Sequence, residues 1–491
     1  MFPFLFSTRF HKNYKEMEGT DESIKELTAP AQFPFKEVPG LDSPQELTFL
    51  SRFVDFTQTF AKPEEEFQTD QKPTKSKVLA RKGIFNPRQV TVKATPVQKA
   101  TTPQQKAQPK KPLRETSVTI KGDWNIVAEL AKQNVDRLSY NPGSPENLGA
   151  YSSVLAAKRI ENINPKRPAK VNTSDEHIYL PGTTTPAEFL QLPTAKDPVF
   201  QEIIESGQGS VFITDLILST LMNFTRAVYP WDVVVEKTSD GKIIFEKSED
   251  SMLDQLTVNE NAAENMPDEE EPENSVNNPK KLWKESIRIN KAFQMQAVKQ
   301  PEFKLGEPHP SQSPQTAPFA YNYRKWKLGE DTYVVVRSQV DSYIPESSNA
   351  LSKVVAVNEY DARITGGYRR KLEAQRGQVL AMEFKNNSCK MSKWAAQALL
   401  SGVEYIKVGF FSREKPNTST SHELLGVSKF RTADFASQLN LNLNSCWGTF
   451  RAIVDIFKKA EPGKYTIVKD PYKPMVRVYS TGAEKQQEEK F

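Results

Sequence analysis

Residues 209–242 read GSVFITDLILSTLMNFTRAVYPWDVVVEKTSDGK, and the punctuation of this stretch decides the architecture. Thr214 or Asp215 is suited to cap a helix, because a short side-chain oxygen accepts from the free N–H groups of the first turn. Behind the cap, Ile217, Leu221, Phe224 and Val228 recur at helical spacing, flanked by Leu218 and Met222, which predicts one buried face. Pro230 ends that pattern. Trp231 to Lys237 then turns into a β-branched run, Asp240-Gly241 marks a tight hairpin turn, and Lys242 to Glu246 is the returning strand.

Upstream, Asp123-Trp124 leads into a helical pattern around Val127 to Leu138. Downstream, Thr332 to Arg337, Gln378 to Lys385 and Val403 to Ser412 read as strands. A helix from Ser392 to Leu400 lies between the last two and is stopped by Gly402. A longer helix runs from Asn444 or Ser445 to Ala460 and ends at Pro462-Gly463, before two final strands, Tyr465 to Lys469 and Met475 to Tyr479. Strands and helices alternate irregularly and no internal repeat is visible, so the pattern predicts a mixed α/β domain of roughly 360 residues.

The remaining chain is different in kind. The 491 residues carry 66 Lys+Arg and 61 Asp+Glu, a formal charge of +5, with only 37% hydrophobic residues and 34 Pro against 21 Gly. Between Gln71 and Arg114 stand twelve basic residues and no acid; subtracting that +12 from +5 leaves −7 on everything else. With six prolines and few apolar anchors, this stretch predicts a disordered arm. Such an arm attracts phosphate backbones through counterion release, although a solvated linker has the same composition. The aromatic-rich start, Phe2, Phe4, Phe6 and Phe10, is too short for a secretory segment, and it reads with Phe33 and Phe35 as docking motifs. At the opposite pole, Glu260, Glu264, Asp268, Glu269, Glu270, Glu271 and Glu273 form an acidic run without a base, expected to stay extended as a surface insertion.

Composition also excludes chemistries. Two cysteines, Cys389 and Cys446, cannot build a disulfide framework, and four scattered histidines do not suggest a zinc site. No run approaches the roughly 18 apolar residues of a membrane helix. A phosphate-cradling Walker loop, a Gly-rich dinucleotide loop and a nucleophile elbow are all missing from the sequence. Two constellations remain. Glu383-Phe384-Lys385, read at a strand end, would place a carboxylate and an ammonium on one face; with Asp341 they outline a metal site for phosphodiester hydrolysis. Gln339, beside Asp341, is neutral where a second carboxylate is needed, and by composition alone a strand-end ion pair or hydrogen-bond network is the better account of the pattern. Tyr321-Asn-Tyr-Arg-Lys-Trp-Lys327 interleaves aromatics with cations, as single-stranded RNA binding requires, and Arg376 extends it; an amphipathic strand looks the same.

The stretches 209–222 and 225–235 resemble the d-type subunits of eukaryotic translation initiation factor 3. So do Tyr323-Arg-Lys-Trp-Lys-Leu-Gly, Gln375-Arg-Gly, Glu383-Phe-Lys-Asn-Asn-Ser, Phe435-Ala-Ser-Gln, Gly463-Lys-Tyr, Lys469-Asp-Pro and Arg477-Val-Tyr-Ser. These fall in one order over about residues 116–480. The resemblance implies a non-enzymatic, cytoplasmic protein with no cofactor and no metal, whose domain binds the mRNA 5′ cap. The implied fold is two β-sheets flanked by helices, similar to decapping exoribonucleases. Positions matching the family's cap contacts are Asp215, Val228, Tyr229, Asn290 and Lys291; Tyr323, Arg324, Lys325, Trp326 and Arg376 are expected to meet RNA. The acidic insertion, about 257–280, is implied to gate the RNA path. Gln339, Asp341, Glu383 and Lys385 become a vestigial nuclease-like site. Residues 1–115 are implied to form a tail that docks on the factor's e-type subunit and on the small ribosomal subunit near the mRNA exit, in assembly of the preinitiation complex; 481–491 form a short second tail. The runner-up is a metal-dependent RNA 5′-end hydrolase, and a scaffold without cap recognition is a third reading.

Overall fold

Val211, Phe212 and Ile213 have no exposed surface, because their four-residue strand is central in its sheet and both sheet faces are covered. The computed structural model describes residues 115–152, 166–173, 178–180, 184–248, 251–260, 275–297 and 303–481. Its strands are β1 (Asn125–Ala131), β2 (Glu146–Ser152), β3 (Ala169–Asn172), β4 (Val211–Thr214), β5 (Asp232–Lys237), β6 (Ile243–Glu246), β7 (Ala320–Lys327), β8 (Tyr333–Val340), β9 (Ser342–Ile344), β10 (Ala350–Glu359), β11 (Tyr405–Arg413), β12 (Ser421–Arg431), β13 (Gly463–Lys469) and β14 (Met475–Ser480). One sheet has nine strands in the order β1-β14-β13-β5-β6-β4-β8-β7-β2, and the other five in the order β3-β12-β11-β10-β9. The β4 pairings with β6 and β8, and that of β10 with β11, are parallel. The main helices are α1 (Pro198–Glu205), α2 (Asp215–Met222), α3 (Pro279–Ala297), α4 (Arg376–Asn386), α5 (Ser388–Ser401), α6 (Thr432–Gln438) and α7 (Leu443–Lys459).

Each sheet is covered on both faces, which is why its central strands are apolar throughout. Helices α2 and α7 cover one face of the large sheet, burying Ile217, Leu221, Phe450 and Phe457 against Val233, Phe245 and Val336. Helix α1 covers the other with Phe200 and Ile203. The small sheet packs α4, α5 and α6 on one side through Leu380, Trp394 and Phe435, and α3 on the other through Ile289 and Phe293. The two-sheet α/β fold expected from the sequence is therefore present. Thr214 caps α2 through the Ile217 N–H, Gly402 closes α5 with φ of 73°, and Gly241 turns the β5–β6 hairpin with φ of 85°. Gly402 also leaves room for the Arg324 guanidinium, which a Cβ would meet at 2.5 Å.

Three sequence readings are corrected. Residues 127–138 are not one helix: β1 pairs antiparallel with β14, and only Lys132–Val135 turns helical after it. The helix opened by Thr214 stops at Met222; a 3-10 turn, Phe224–Arg226, follows, and Ala227 is already extended. Residues 378–385 are not a strand but lie in α4, where Ala, Leu, Met, Glu and Lys follow their helical preference and Val379 and Leu380 join the core.

A buried ion pair fastens α3 to the small sheet. Glu285 accepts from Arg413 at 2.6 and 2.9 Å, from His422 at 2.7 Å and from Asn358 at 3.1 Å. Burial alone would raise the Glu285 carboxyl, but Arg413 and His422 outweigh it and hold it low. Arg413 further donates to Val276 O and Asn277 Oδ1, fixing the chain that enters α3. Removing one partner strands the other's charge in the core, so Arg413→Ala is expected to cost about 3–5 kcal/mol in guanidinium melts. A loss below about 1 kcal/mol, the range of exposed pairs, contradicts this role.

Candidate functional site

The chain leaves the large sheet at Val340 and enters the small one at Ser342, so Asp341 stands at the seam. Beside it opens a cavity of about 750 Å³. Helix α2 contributes Asp215 from its first turn, and the extended chain after it contributes Val228 and Tyr229. Strand β8 supplies Arg337 and Gln339, β10 supplies Lys353, α3 supplies Trp283, Asn290 and Lys291, and α5 supplies Lys390 and Lys393. All five positions matched to cap contacts, Asp215, Val228, Tyr229, Asn290 and Lys291, thus line one cavity although 75 residues separate the first from the fourth.

The cavity floor is a hydrogen-bonded carboxylate set. Asp215 accepts from the Gln339 N–H at 3.1 Å. Asp341 accepts from Gln339 Nε2 at 2.8 Å on one oxygen and from the Val354 N–H at 2.8 Å on the other. Burial pushes the Asp215 carboxyl up, while the Lys353 ammonium and the Gln339 N–H pull it back toward ionisation. These residues do not fit a catalytic divalent metal: Gln339 gives Asp341 an amide where a second carboxylate would give charge. Among the described residues no group of three or more His, Cys, Asp or Glu is placed to hold one. Glu383 is elsewhere in role. Buried in α4, it accepts from the Tyr368 hydroxyl and from Asn387 Nδ2 at 2.9 Å, and Lys385 is exposed. Neither lines the cavity, so the expected Glu-x-Lys strand end is replaced by Lys353, a residue without a sequence motif.

Arg337 is held rigidly at the edge of this floor. Its guanidinium donates to Asp197 Oδ2 at 2.6 Å and to Leu192 O at 2.6 Å, and lies 4.8 Å from the Tyr321 ring centre. Asp197 also accepts from the Tyr323 hydroxyl at 2.6 Å and caps α1 through the Val199 N–H. His309 Nδ1 accepts from the Ser311 N–H, which leaves its Nε2, 3.2 Å from the Tyr323 hydroxyl, as the donor in the neutral ring. Tyr323 is therefore a buried relay, not a base-stacking platform. Its neighbours are similarly committed: Arg324 donates to Leu400 O, Lys325 pairs with Glu146, and Trp326 packs 5.4 Å from Trp447. The 321–327 pattern is the amphipathic strand β7, with partners on both faces. Arg376 is exposed at the start of α4, outside the cavity lining.

The cavity wall is cationic and partly capped. Lys390 Nζ donates to Thr257 O, Lys393 Nζ donates to Leu253 O at 2.7 Å, and Lys247 pairs with Asp254 at 2.8 Å. Burial pulls Lys291, Lys390 and Lys393 below the ordinary lysine range. Glu260 is corrected from flap residue to anchor: it is buried, and it accepts from the Cys389 and Lys390 N–H groups at 2.8 and 3.0 Å, at the positive end of α5. The other acids of the run, Glu264, Asp268, Glu269, Glu270, Glu271 and Glu273, lie outside the described residues. Aromatic rings complete the lining. Tyr229 and Trp283 meet at 5.5 Å with planes at 83°, and Lys291 Nζ sits 4.6 Å from the Phe189 ring centre. Trp283, Phe189, Lys353, Lys390 and Lys393 were not legible as site residues, since none belongs to a sequence motif and their elements meet only in the fold.

The fold and cavity define a two-sheet α/β protein with a pocket at the seam of its sheets, lined by aromatic, cationic and acidic side chains. Among solved structures it is similar to Rai1 of Schizosaccharomyces pombe, with 12% identity, 72% of this chain and 99% of that chain covered, and a TM-score of 0.43. Residues 36–480 match the family model of eukaryotic translation initiation factor 3 subunit 7, and the chain belongs to that family. Relatives named as the D subunit of eukaryotic translation initiation factor 3 include those of S. pombe, 38% identical over 389 residues, and Homo sapiens, 36% identical over 379. Each match covers 75% of this chain and 66% of the relative.

The Asp197 network yields a pH signature. Burial would raise this carboxyl, but the His309, Arg337 and Tyr323 hydrogen bonds and the Arg337 charge bring it down to about 2, from an ordinary 3.8. A depressed carboxyl stabilises the fold above its unfolded pKa, and that contribution disappears as pH falls through the folded value. The shift corresponds to about 2 kcal/mol. Urea melts of Asp197→Asn are expected to show a decline in stability between pH 4 and pH 2 that is smaller by about 2 kcal/mol than that of the unsubstituted chain. Other depressed carboxyls such as Glu285 supply the rest; parallel declines would remove Asp197 from that role.

Proposed function

We propose that this chain acts in translation initiation as a subunit of initiation factor 3, and that its cavity holds the methylated guanine cap at the 5′ end of an mRNA. One observation carries the reading: Asp215, Val228, Tyr229, Asn290 and Lys291, drawn from α2, the loop after it and α3, converge on a single cavity large enough for a nucleotide. Aromatic faces suit a cationic ring, buried carboxylates suit its N–H donors, and the lysine wall suits a phosphate chain. The protein binds without hydrolysing, because Gln339 stands where a metal-dependent hydrolase needs a second carboxylate beside Asp341. In this proposal residues 116–480 are the cap-binding domain, the acidic insertion gates the cavity, and the N-terminal 1–115 docks on the factor's e-type subunit and the small ribosomal subunit in the cytoplasm.

Crosslinking of the full chain to a photoreactive capped RNA tests the reading. The signal is expected to be competed by 7-methyl-GTP and to fall about tenfold or more in Asp215→Ala, the loss of a buried charged hydrogen bond. Absence of crosslinking to the cap would favour a scaffold. Cap cleavage in Mn²⁺ that Asp341→Ala abolishes would establish a hydrolase instead.

A further inference from the structure

We infer that Trp283 is the residue that stacks on the ligand's ring, and that it sets the cavity's preference for a cationic planar ring over a neutral ring of the same shape. The inference rests on the cap-binding reading above and assigns its ring specificity to one side chain. Trp283 lies on α3 one turn before Ile287 and two turns before Asn290 and Lys291, and all four line the cavity. They therefore share the face that α3 turns toward the ligand. The other two indoles of the lining, Trp231 and Trp394, are buried in the two main cores. Trp283 is half-buried.

Two contacts narrow the assignment. Tyr229 meets Trp283 nearly perpendicularly, at 83° and 5.5 Å. An edge-to-face neighbour fixes a ring's orientation without laying a parallel plane over it, so a ligand ring stacked on one member of this pair borders the other edge-on. Phe189, also half-buried in the lining, already has a cation over its face, the Lys291 ammonium at 4.6 Å. Among the described residues no lysine or arginine lies over the Trp283 ring. Indole has the strongest negative face of the aromatic side chains, so it discriminates most between a ring carrying delocalised positive charge, such as an N7-alkylated purine, and its neutral parent.

Equilibrium binding of 7-methyl-GTP and GTP to the full chain tests this. Trp283→Leu keeps apolar bulk and removes the π face. It is expected to weaken 7-methyl-GTP about tenfold while leaving GTP within about twofold. Trp283→Phe, which keeps the edge-to-face packing on Tyr229, should fall between; it also serves as the test variant if Trp283→Leu loses its cooperative melting transition. Equal weakening of both nucleotides, or of neither, overturns the inference: the first makes Trp283 a steric wall, the second a bystander. Those outcomes leave cap binding intact. If the unsubstituted chain binds neither nucleotide, the cap reading itself fails.

Discussion

Asp341 is gripped on one oxygen by the Gln339 side chain, at the end of β8, and on the other by the Val354 N–H, in β10. A single carboxylate thereby ties the end of a strand in one sheet to the middle of a strand in the next. Everything around the cavity takes its position from that seam. Helix α2 reaches the seam through Asp215 and the Gln339 N–H, β10 brings Lys353, and α3 is held on β10 by Asn290, whose Oδ1 accepts from the Ala356 N–H at 2.9 Å. The two N–H donors on Asp341 supply hydrogen bonds that a buried carboxylate requires.

The rest of the cavity follows one economy of charge. Buried cations near the pocket are met by main-chain carbonyls as often as by acids: Leu192 O for Arg337, Thr257 O for Lys390, Leu253 O for Lys393. A carbonyl satisfies one donor of an ammonium without neutralising it. Lys390 and Lys393 are thereby hydrogen-bonded without being closed into salt bridges, whereas Arg337 and Lys247 are paired with Asp197 and Asp254.

Much of the fold was legible because its helices are punctuated. Thr214 and Gly402 mark a start and a stop, and the apolar spacing behind Thr214 finds α2, although the helix ends before Phe224 and Val228. The final pair β13 and β14 stands out as β-branched runs. What failed was decided by neighbours. Strand β1 is an edge strand whose outer residues are exposed, so its alternation is weak, and only pairing with β14 makes it a strand. The apolar run in α4 is short enough to serve as strand or helix, and packing against α5 chooses helix. At the site, family resemblance located Asp215, Val228, Tyr229, Asn290 and Lys291, whereas residue patterning pointed to 321–327, where cations and aromatics alternate because β7 lies between two cores. Lys353 and Trp283 belong to no pattern; three-dimensional convergence alone identifies them.

The two clamps on either side of residues 261–274 have a consequence for how this protein can vary. Glu260 is fixed on the first turn of α5, and Val276 and Asn277 are fixed on Arg413. Substitutions at Glu260 or Arg413 therefore reach two things at once, the packing of the core and the points at which residues 261–274 leave and rejoin it.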